Sequence, residues 1–370
     1  MNLFVGKKNS YRNIFMQKIF FLLLGLFFLT FSLSAQVGGN HIFEFLNAPN
    51  SARASALGGM AIATKDDDVA VAYQNPSALN TKMDKALSFN LNRGFGGTSN
   101  GYLGFGKNFL KIGMTLHGGI QFMNYGTFNN TNEYGKSLGE FSGKENAFVL
   151  GAGKQLGEYF SIGTNLKFVT STLGAGAADL PEGYNATGIL ADVAAMYHNP
   201  ETQSTFTIVA NNAGRQLSTY NNTLESIPFR INVGYSKRLK HLPFRLSILF
   251  HDLQRWDIRY NDPNKVVTNS FISDATTTTE KPKLDNLARH LTLNGEFLLG
   301  QKENFRLRFG YNHLSHRELS VDNYRSVGGF SVGFGMKINR FRLDFARSIY
   351  NLAGGTNHFS FSTNINEFLK

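Results

Sequence analysis

From Ala86 to the C-terminus the chain alternates apolar with small or polar residues at a period of two, which is the repeat of a β-strand and not of a helix. Leu87, Phe89 and Leu91 oppose Ser88, Asn90 and Asn92, and Ile112, Met114, Leu116, Ile120 and Phe122 oppose Thr115, His117 and Gln121. The scheme recurs at Phe160, Ile162, Leu166 and Phe168 and at Phe229, Ile231, Val233 and Tyr235. It continues at Phe244, Leu246, Ile248 and Phe250, at Phe305, Leu307, Phe309 and Tyr311, and at Phe330, Val332, Phe334 and Met336. Composition agrees, with 34 Phe, 14 Tyr and 38 Gly in 370 residues. Aromatic residues favour sheet, and glycine suits tight turns and small-side-chain lumen positions. A soluble sandwich alternates too. The difference lies in the polar face, which carries Arg230, Arg245, Arg306, Arg308, Lys337, Arg342 and Asp344 deep within strands, while the other face is Phe-rich and nearly free of charge. That division fits a wet or plugged lumen on one side and lipid on the other.

Counting such segments gives about fourteen strands, an even number as bacterial single-chain barrels have. Their connections sort by parity. Short ones fall at Asn108 to Leu110, Gln155 to Gly157, Asn199 to Gln203, Arg238 to Leu242, Gly300 to Glu303 and Asn339. Between them come mostly long ones: Gly126 to Glu145, Thr170 to Asn185, Ala213 to Ile227, Asp252 to Ala288 and Leu314 to Ser326, with Arg93 to Asn100 and Ser348 to Thr356 the briefest. Short periplasmic turns alternating with longer extracellular loops put both chain ends in the periplasm. The predicted fold class is an all-β transmembrane antiparallel barrel of about fourteen strands with an N-terminal plug, integral to the outer membrane.

The N-terminus supplies the route. Lys7, Lys8, Arg12 and Lys18 precede an apolar run from Ile19 to Phe31 and then the small residues Ser32, Ser34 and Ala35, the order of a signal peptide. The run is shorter than the ~20 residues a spanning helix requires. Cleavage after Ala35 would leave Gln36 first; cleavage after Ser34 competes, and Met16 offers an alternative start. The predicted divisions are a signal peptide over residues 1–35, a hatch over 36–84 and the barrel over 85–370. Without the first 35 residues, 33 basic residues stand against 26 acidic ones, a charge of +7 in place of +11. An exported protein meets phosphate as lipid headgroups and lipopolysaccharide, so no nucleic acid is expected as a partner.

Residues 36–84 lack the alternation. Asn50 to Gly59 reads as a short Ser-capped helix ended by glycine, followed by Asp66, Asp67 and Asp68 and then Asn75-Pro76. Its place ahead of the first strand suits a lumenal plug. Enzyme signals are weak. Gly-x-Ser-x-Gly occurs around Ser99, Ser137 and Ser331, but none lies in the strand-to-helix elbow a nucleophile needs. The three consecutive aspartates lack a calcium loop's spacing and read as a solvated acidic turn. There is no cysteine, and no histidine spacing marks a metal site. The expectation is therefore no catalytic residue, no metal and no cofactor.

The run Gly58-Gly59-Met60-Ala61 through Asp66-Asp67-Asp68 to Asn75-Pro76-Ser77-Ala78-Leu79 resembles the hatch and Asn-Pro-Ala motif of the FadL-like outer-membrane barrels. Ser77 departs from that family's usual alanine, and Phe368-Leu369-Lys370 departs from the terminal aromatic of many barrels. Gly38-Gly39-Asn40, Phe43 to Asn47, Ser51-Ala52-Arg53, Pro243 to Ser247, Arg255-Trp256, Phe309 to Leu314 and Leu352 to His358 are similar to the PorV/PorQ group of type IX secretion barrels. That resemblance implies an outer-membrane anchor holding a PorZ-like surface protein of the complex that fixes secreted cargo to lipopolysaccharide. The wider family implies the rival function, uptake of hydrophobic small molecules. Lumen positions rich in Arg, Asn, Ser, His and Gly suit a plug better than a greasy site. The partner is expected on the longest outer loop, at Arg255, Trp256, Arg259 and Tyr260, because exposed aromatics with arginine anchor interfaces.

Overall fold

The computed structural model describes residues 41–176, 182–259, 283–319, 327–351 and 354–369; the expected signal peptide and Gln36 lie outside them. Strands β1 Ala86–Arg93, β2 Ser99–Phe109, β3 Met114–Thr131, β4 Ser137–Leu156, β5 Phe160–Ala175, β6 Tyr184–Asn199 and β7 Ser204–Ser218 form the first half of the wall. The second half is β8 Arg230–Arg238, β9 Phe244–Phe250, β10 Leu291–Leu299, β11 Phe305–Asn312, β12 Phe330–Ile338, β13 Phe341–Asn351 and β14 Gly354–Asn364. Each pairs antiparallel with its sequence neighbours. β1 closes on β14 from Ala86 opposite Asn364 to Arg93 opposite Asn357, giving a closed barrel of 14 strands. Closure leaves no sheet edge within the hydrocarbon, where an unpaired backbone group has no water to turn to.

The apolar register faces outward: Phe148, Leu150, Leu166, Phe168, Phe309, Phe334 and Phe359 are exposed, while Asn165, Lys167, Arg308 and Ser331 between them are buried. The belt has an upper limit. Outward residues change from Leu150 and Phe148 to Asn146 and Lys144 along β4, and from Leu166 and Phe168 to Thr170 and Thr172 along β5.

The turns at one end are short, none exceeding the five residues of 239–243 and 300–304, and those at the other reach 251–290. The connection read from sequence as Gly126 to Glu145 proves to be largely strand, and strand extends into those read as Thr170 to Asn185 and Ala213 to Ile227, to Ala175 and to Ser218. β3, β4, β5, β6 and β7 have 18, 20, 16, 16 and 15 residues, against the ~9–11 that cross a bilayer. They stand above the membrane as a raised wall. Above the lipid no solvent demands a greasy face, so the alternation fades there although the hydrogen-bond ladder continues.

Segment 41–84 lies inside the ring of strands. It holds α1 Ala52–Ala56, capped by Ser51 Oγ accepting from Ala54 N at 3.1 Å, then α2 Val71–Gln74 and a 3-10 turn Pro76–Ala78. One side of it is apolar: Ile42, Phe43, Phe45 and Leu46 pack on Ala147, Val169, Ala186 and Leu190, and Ile62 and Ala63 on Ala194, Val209 and Leu249. The other side faces the charged inner surface of β9 to β13.

Candidate functional site

The site is the seam between this segment and the wall. At its centre Arg53 of α1 donates to both carboxylate oxygens of Asp66, at 3.0 and 2.7 Å, and to Glu296 Oε2 at 3.0 Å. Glu296, on β10, also accepts from Arg245 Nη1 at 3.0 Å and Arg308 Nε at 2.7 Å. Arg308 binds Asp344, and Arg342 grips both oxygens of Asp67 at 3.0 and 3.1 Å. Arg53 and Glu296 are each only 2% exposed. A charge so far from water persists only when paired and hydrogen-bonded, so five arginines, Arg53, Arg245, Arg306, Arg308 and Arg342, are matched by five carboxylates, Asp66, Asp67, Asp68, Glu296 and Asp344. Asp66, Asp67 and Asp68 are thus not a solvated turn. Alone in sequence they look exposed; in the fold they face arginines from β9, β11 and β13.

Burial by itself would raise the Asp66 carboxyl, but Arg53, Arg245 and Arg306 outweigh it and hold the group well below its ordinary range. Burial raises Asp68 instead. A depressed carboxyl contributes stability that is complete above its unfolded value, about 4, and is lost as pH falls through the folded one. Asp68 acts with the opposite sign and partly offsets the acid loss. Bilayer conductance should therefore stay low from neutral pH down to about pH 5 and rise only below about pH 4. A rise already between pH 7 and pH 5 would contradict the depressed Asp66.

Asn75, Pro76 and Ser77 form a second clamp. Asn75 Oδ1 accepts from Ser77 N at 3.0 Å and Ser77 Oγ at 2.6 Å, while its amide donates to Ile62 O at 2.7 Å and Thr207 Oγ1 at 3.0 Å. Ser161 Oγ of β5 donates to Ser77 O at 2.8 Å. The serine standing at the usual alanine position thus adds a bond that alanine could not. Nearby, Asn165 of β5 donates to Ala72 O, Tyr73 O and Asp192 Oδ2, and Lys167 Nζ pairs with Asp192 at 2.8 Å.

Ser331 is occupied with this seam, donating to Ala56 O at 3.0 Å and accepting from Gly58 N at 3.1 Å. Ser99 and Ser137 begin strands. Among the described residues no group of three or more His, Cys, Asp or Glu could hold a metal.

Sequence reading missed Asp192 and Glu296, single acidic residues within otherwise unremarkable strands. It placed glycines in the lumen but not where they meet the hatch. A Cβ on Gly163 would lie 2.3 Å from Pro76 C and O, and one on Gly310 2.4 Å from Gly58 N. Glycine at polar-face positions was the available signal of where the hatch backbone touches the wall.

The outer-loop residues are only partly described. Trp256 is 66% exposed and stacks on His290 with ring centroids 5.9 Å apart; its carbonyl accepts from Asn286 at 2.6 Å. Arg259 pairs with Asp257, Arg255 lies beside them, and Tyr260 falls outside the described residues. Segment 255–259 is therefore built onto the barrel mouth through His290 and the helix α3 Lys283–Arg289.

Interior cavities are small and mixed in character. One of about 230 Å³ lies towards the outer mouth between Pro49, Met60, Arg230, His251 and Tyr350, below the ~300–1,000 Å³ of ordinary ligand pockets. An apolar hollow of about 430 Å³, lined by Ile120, Phe148, Leu150, Leu166, Phe168 and Ile189, opens on the lipid face.

No protein-family model matches the chain, and no curated protein matches it. Solved structures do. It is similar to the CymD monoaromatic hydrocarbon channel with a TM-score of 0.55 and 12% identity, over 87% of this chain and 99% of that one. A TodX monoaromatic hydrocarbon channel mutant gives 0.52 and 12%, over 85% and 98%. A Pseudomonas aeruginosa FadL homologue gives 0.47 and 10%, over 85% and 98%. The fold, with its outward apolar belt, makes the chain an integral outer-membrane β-barrel. More narrowly, its 14-strand architecture is similar to that of the CymD and TodX barrels.

Proposed function

We propose that this barrel is a non-enzymatic outer-membrane anchor that holds a PorZ-like surface protein of the type IX secretion attachment complex, the complex that fixes cargo to lipopolysaccharide. The observation that carries the proposal is the filled lumen: the hatch is fastened by buried ion pairs and by backbone contacts to the wall. A scaffold needs a rigid, closed body and an exposed outer face. The raised β3 to β7 wall and the Trp256 segment supply that face, and the sequence similarity to the PorV/PorQ group supplies the kind of partner.

The fold comparisons favour a second reading, passage of a hydrophobic small molecule, since the CymD and TodX structures are of monoaromatic hydrocarbon channels. Against it stands the small, partly charged interior cavity. Affinity purification of the tagged barrel from outer membranes separates the two. Recovery of a PorZ-like protein supports the anchor, and recovery of a bound apolar molecule without that protein supports the channel. In the anchor reading, Trp256→Ala should lower partner recovery by at least tenfold, the effect of removing an aromatic interface anchor worth about 2 kcal/mol. Heat-modifiable gel migration should not change, because the ring is mostly exposed, its one stacking contact is with His290 at the mouth, and the backbone bonds to Asn286 and His290 are kept. Parental recovery by this variant would remove the docking assignment.

A further inference from the structure

The short-turn end of the barrel carries a pocket that neither reading uses. It measures about 270 Å³ and lies between the hatch and the rim where β12, β13, β14 and β1 meet. Four cations line it: Lys82 of the hatch, Lys337 of β12, Arg340 of the β12–β13 turn and Arg342 of β13. Two carboxylates also line it, and each is already committed. Glu367 Oε1 receives Lys337 Nζ at 2.8 Å, and Asp67 is held by both terminal nitrogens of Arg342. Among the described residues Lys82 and Arg340 have no carboxylate partner, so the pocket keeps two unmatched positive charges beside the hydroxyl of Ser362.

The pocket does not stop at the lumen. Leu87 and Thr363, on the lipid-facing register of β1 and β14, also line it. The Arg340 guanidinium lies 5.0 Å above the Phe368 ring. That ring continues into an exposed aromatic patch, with Phe341 centred 5.6 Å from Phe368 and 5.4 Å from Phe361. A basic pocket thus joins a greasy outer patch at the periplasmic rim, where the inner leaflet's headgroups lie.

We propose that this rim pocket binds the phosphate of an anionic glycerophospholipid, with Lys82 and Arg340 on the phosphate and the acyl chains over Phe341, Phe361 and Phe368. Arginine suits the role because its planar fork matches a phosphate's oxygens and it stacks on an aromatic face at the same time. Free phosphate shares the headgroup chemistry but has no use for the aromatic patch. An acidic peptide would have no acyl chains to lay there.

Native mass spectrometry of the full-length barrel in detergent tests this with phosphatidylglycerol, phosphatidylcholine and inorganic phosphate as probes. The parent should retain phosphatidylglycerol roughly tenfold more than phosphatidylcholine, the effect of two basic contacts to an anionic headgroup. Lys82→Gln with Arg340→Gln should abolish that preference. Lys240→Gln, at an exposed lysine of another periplasmic turn, should leave it intact. Lys82→Gln alone, at an exposed position, keeps the test decisive if the double variant fails to show folded gel migration. Equal retention of the two lipids by the parent, or parental preference in Lys82→Gln or the double variant, would overturn the proposal. So would displacement of phosphatidylglycerol by low-millimolar inorganic phosphate, which would assign the pocket to a soluble anion.

Discussion

Exchanging Gly163 for valine is expected to unseat the hatch while leaving the barrel closed. Gly163 of β5 pairs in register with Gly153 of β4, and the two present a smooth inner surface to the Asn75-Pro76-Ser77 turn. An added Cβ at Gly163 would sit 2.3 Å from the Pro76 carbonyl carbon and oxygen and 2.5 Å from Ser77 N. All three are backbone atoms. A side chain can rotate away from such a clash, but this turn is fixed by Asn75 to Ile62 O and Thr207 and by Ser161 to Ser77 O, so relief requires breaking those bonds. Overpacking of this kind costs up to about 3 kcal/mol, and the released bonds add about 1 kcal/mol each. The outward face and the ladder of β5 are untouched, so folded gel migration should persist. The expected readouts are larger and more frequent bilayer conductances than the parent's and new protease cleavage within residues 41–84. Parental conductance with parental protease resistance would show that the turn has room to retreat.

The wall was legible because lipid enforces the outward face. Every membrane-level strand places Phe, Leu, Ile or Val where the bilayer touches it, as at Phe160, Ile162, Leu166 and Phe168, and the period survives any lumen content. Above the membrane that demand ends. The upper parts of β3 and β4 therefore carry Asn129, Asn130, Ser137 and Lys144, which look like loop although they pair in register. The hatch was legible in position, from its missing alternation, but not in its contacts. Nothing local distinguishes Asp66 facing Arg53 and Arg245 from an aspartate in water, because the arginines come from another hatch element and from β9. Long-range charge pairing leaves no periodic trace. Asn75, Pro76 and Ser77 were found by resemblance, and their partners Thr207 and Ser161 appear only once β5 and β7 are curved around them.

Glu296→Ala is expected to loosen the hatch more than any single change to the arginines around it. Glu296 accepts from Arg53, Arg245 and Arg308, one from the hatch and two from the wall, with both oxygens engaged. Its removal takes a shared carboxylate from three guanidiniums in a space almost closed to water. Arg53 keeps Asp66 and Asp68, Arg245 keeps Asp66 and Arg308 keeps Asp344, but one buried positive charge is left over, and breaking a buried network in this way costs on the order of 3–5 kcal/mol. Arg53→Ala should cost less. Glu296 would keep Arg245 and Arg308, and Asp66 would keep Arg245 at 3.5 Å and Arg306 at 4.0 Å. Asp68 loses its ion pair with Arg53, but its carboxyl is already raised by burial and can take up a proton, whereas a guanidinium cannot release one. The Glu296→Ala loss corresponds to a hundredfold or greater rise in the fraction of undocked hatch. Bilayer recordings should therefore rank open probability as Glu296→Ala above Arg53→Ala above parent, with all three migrating as folded barrels. An Arg53→Ala variant at least as open as Glu296→Ala would mean that the helix α1 side of the lock holds the hatch and that the wall arginines only line the lumen.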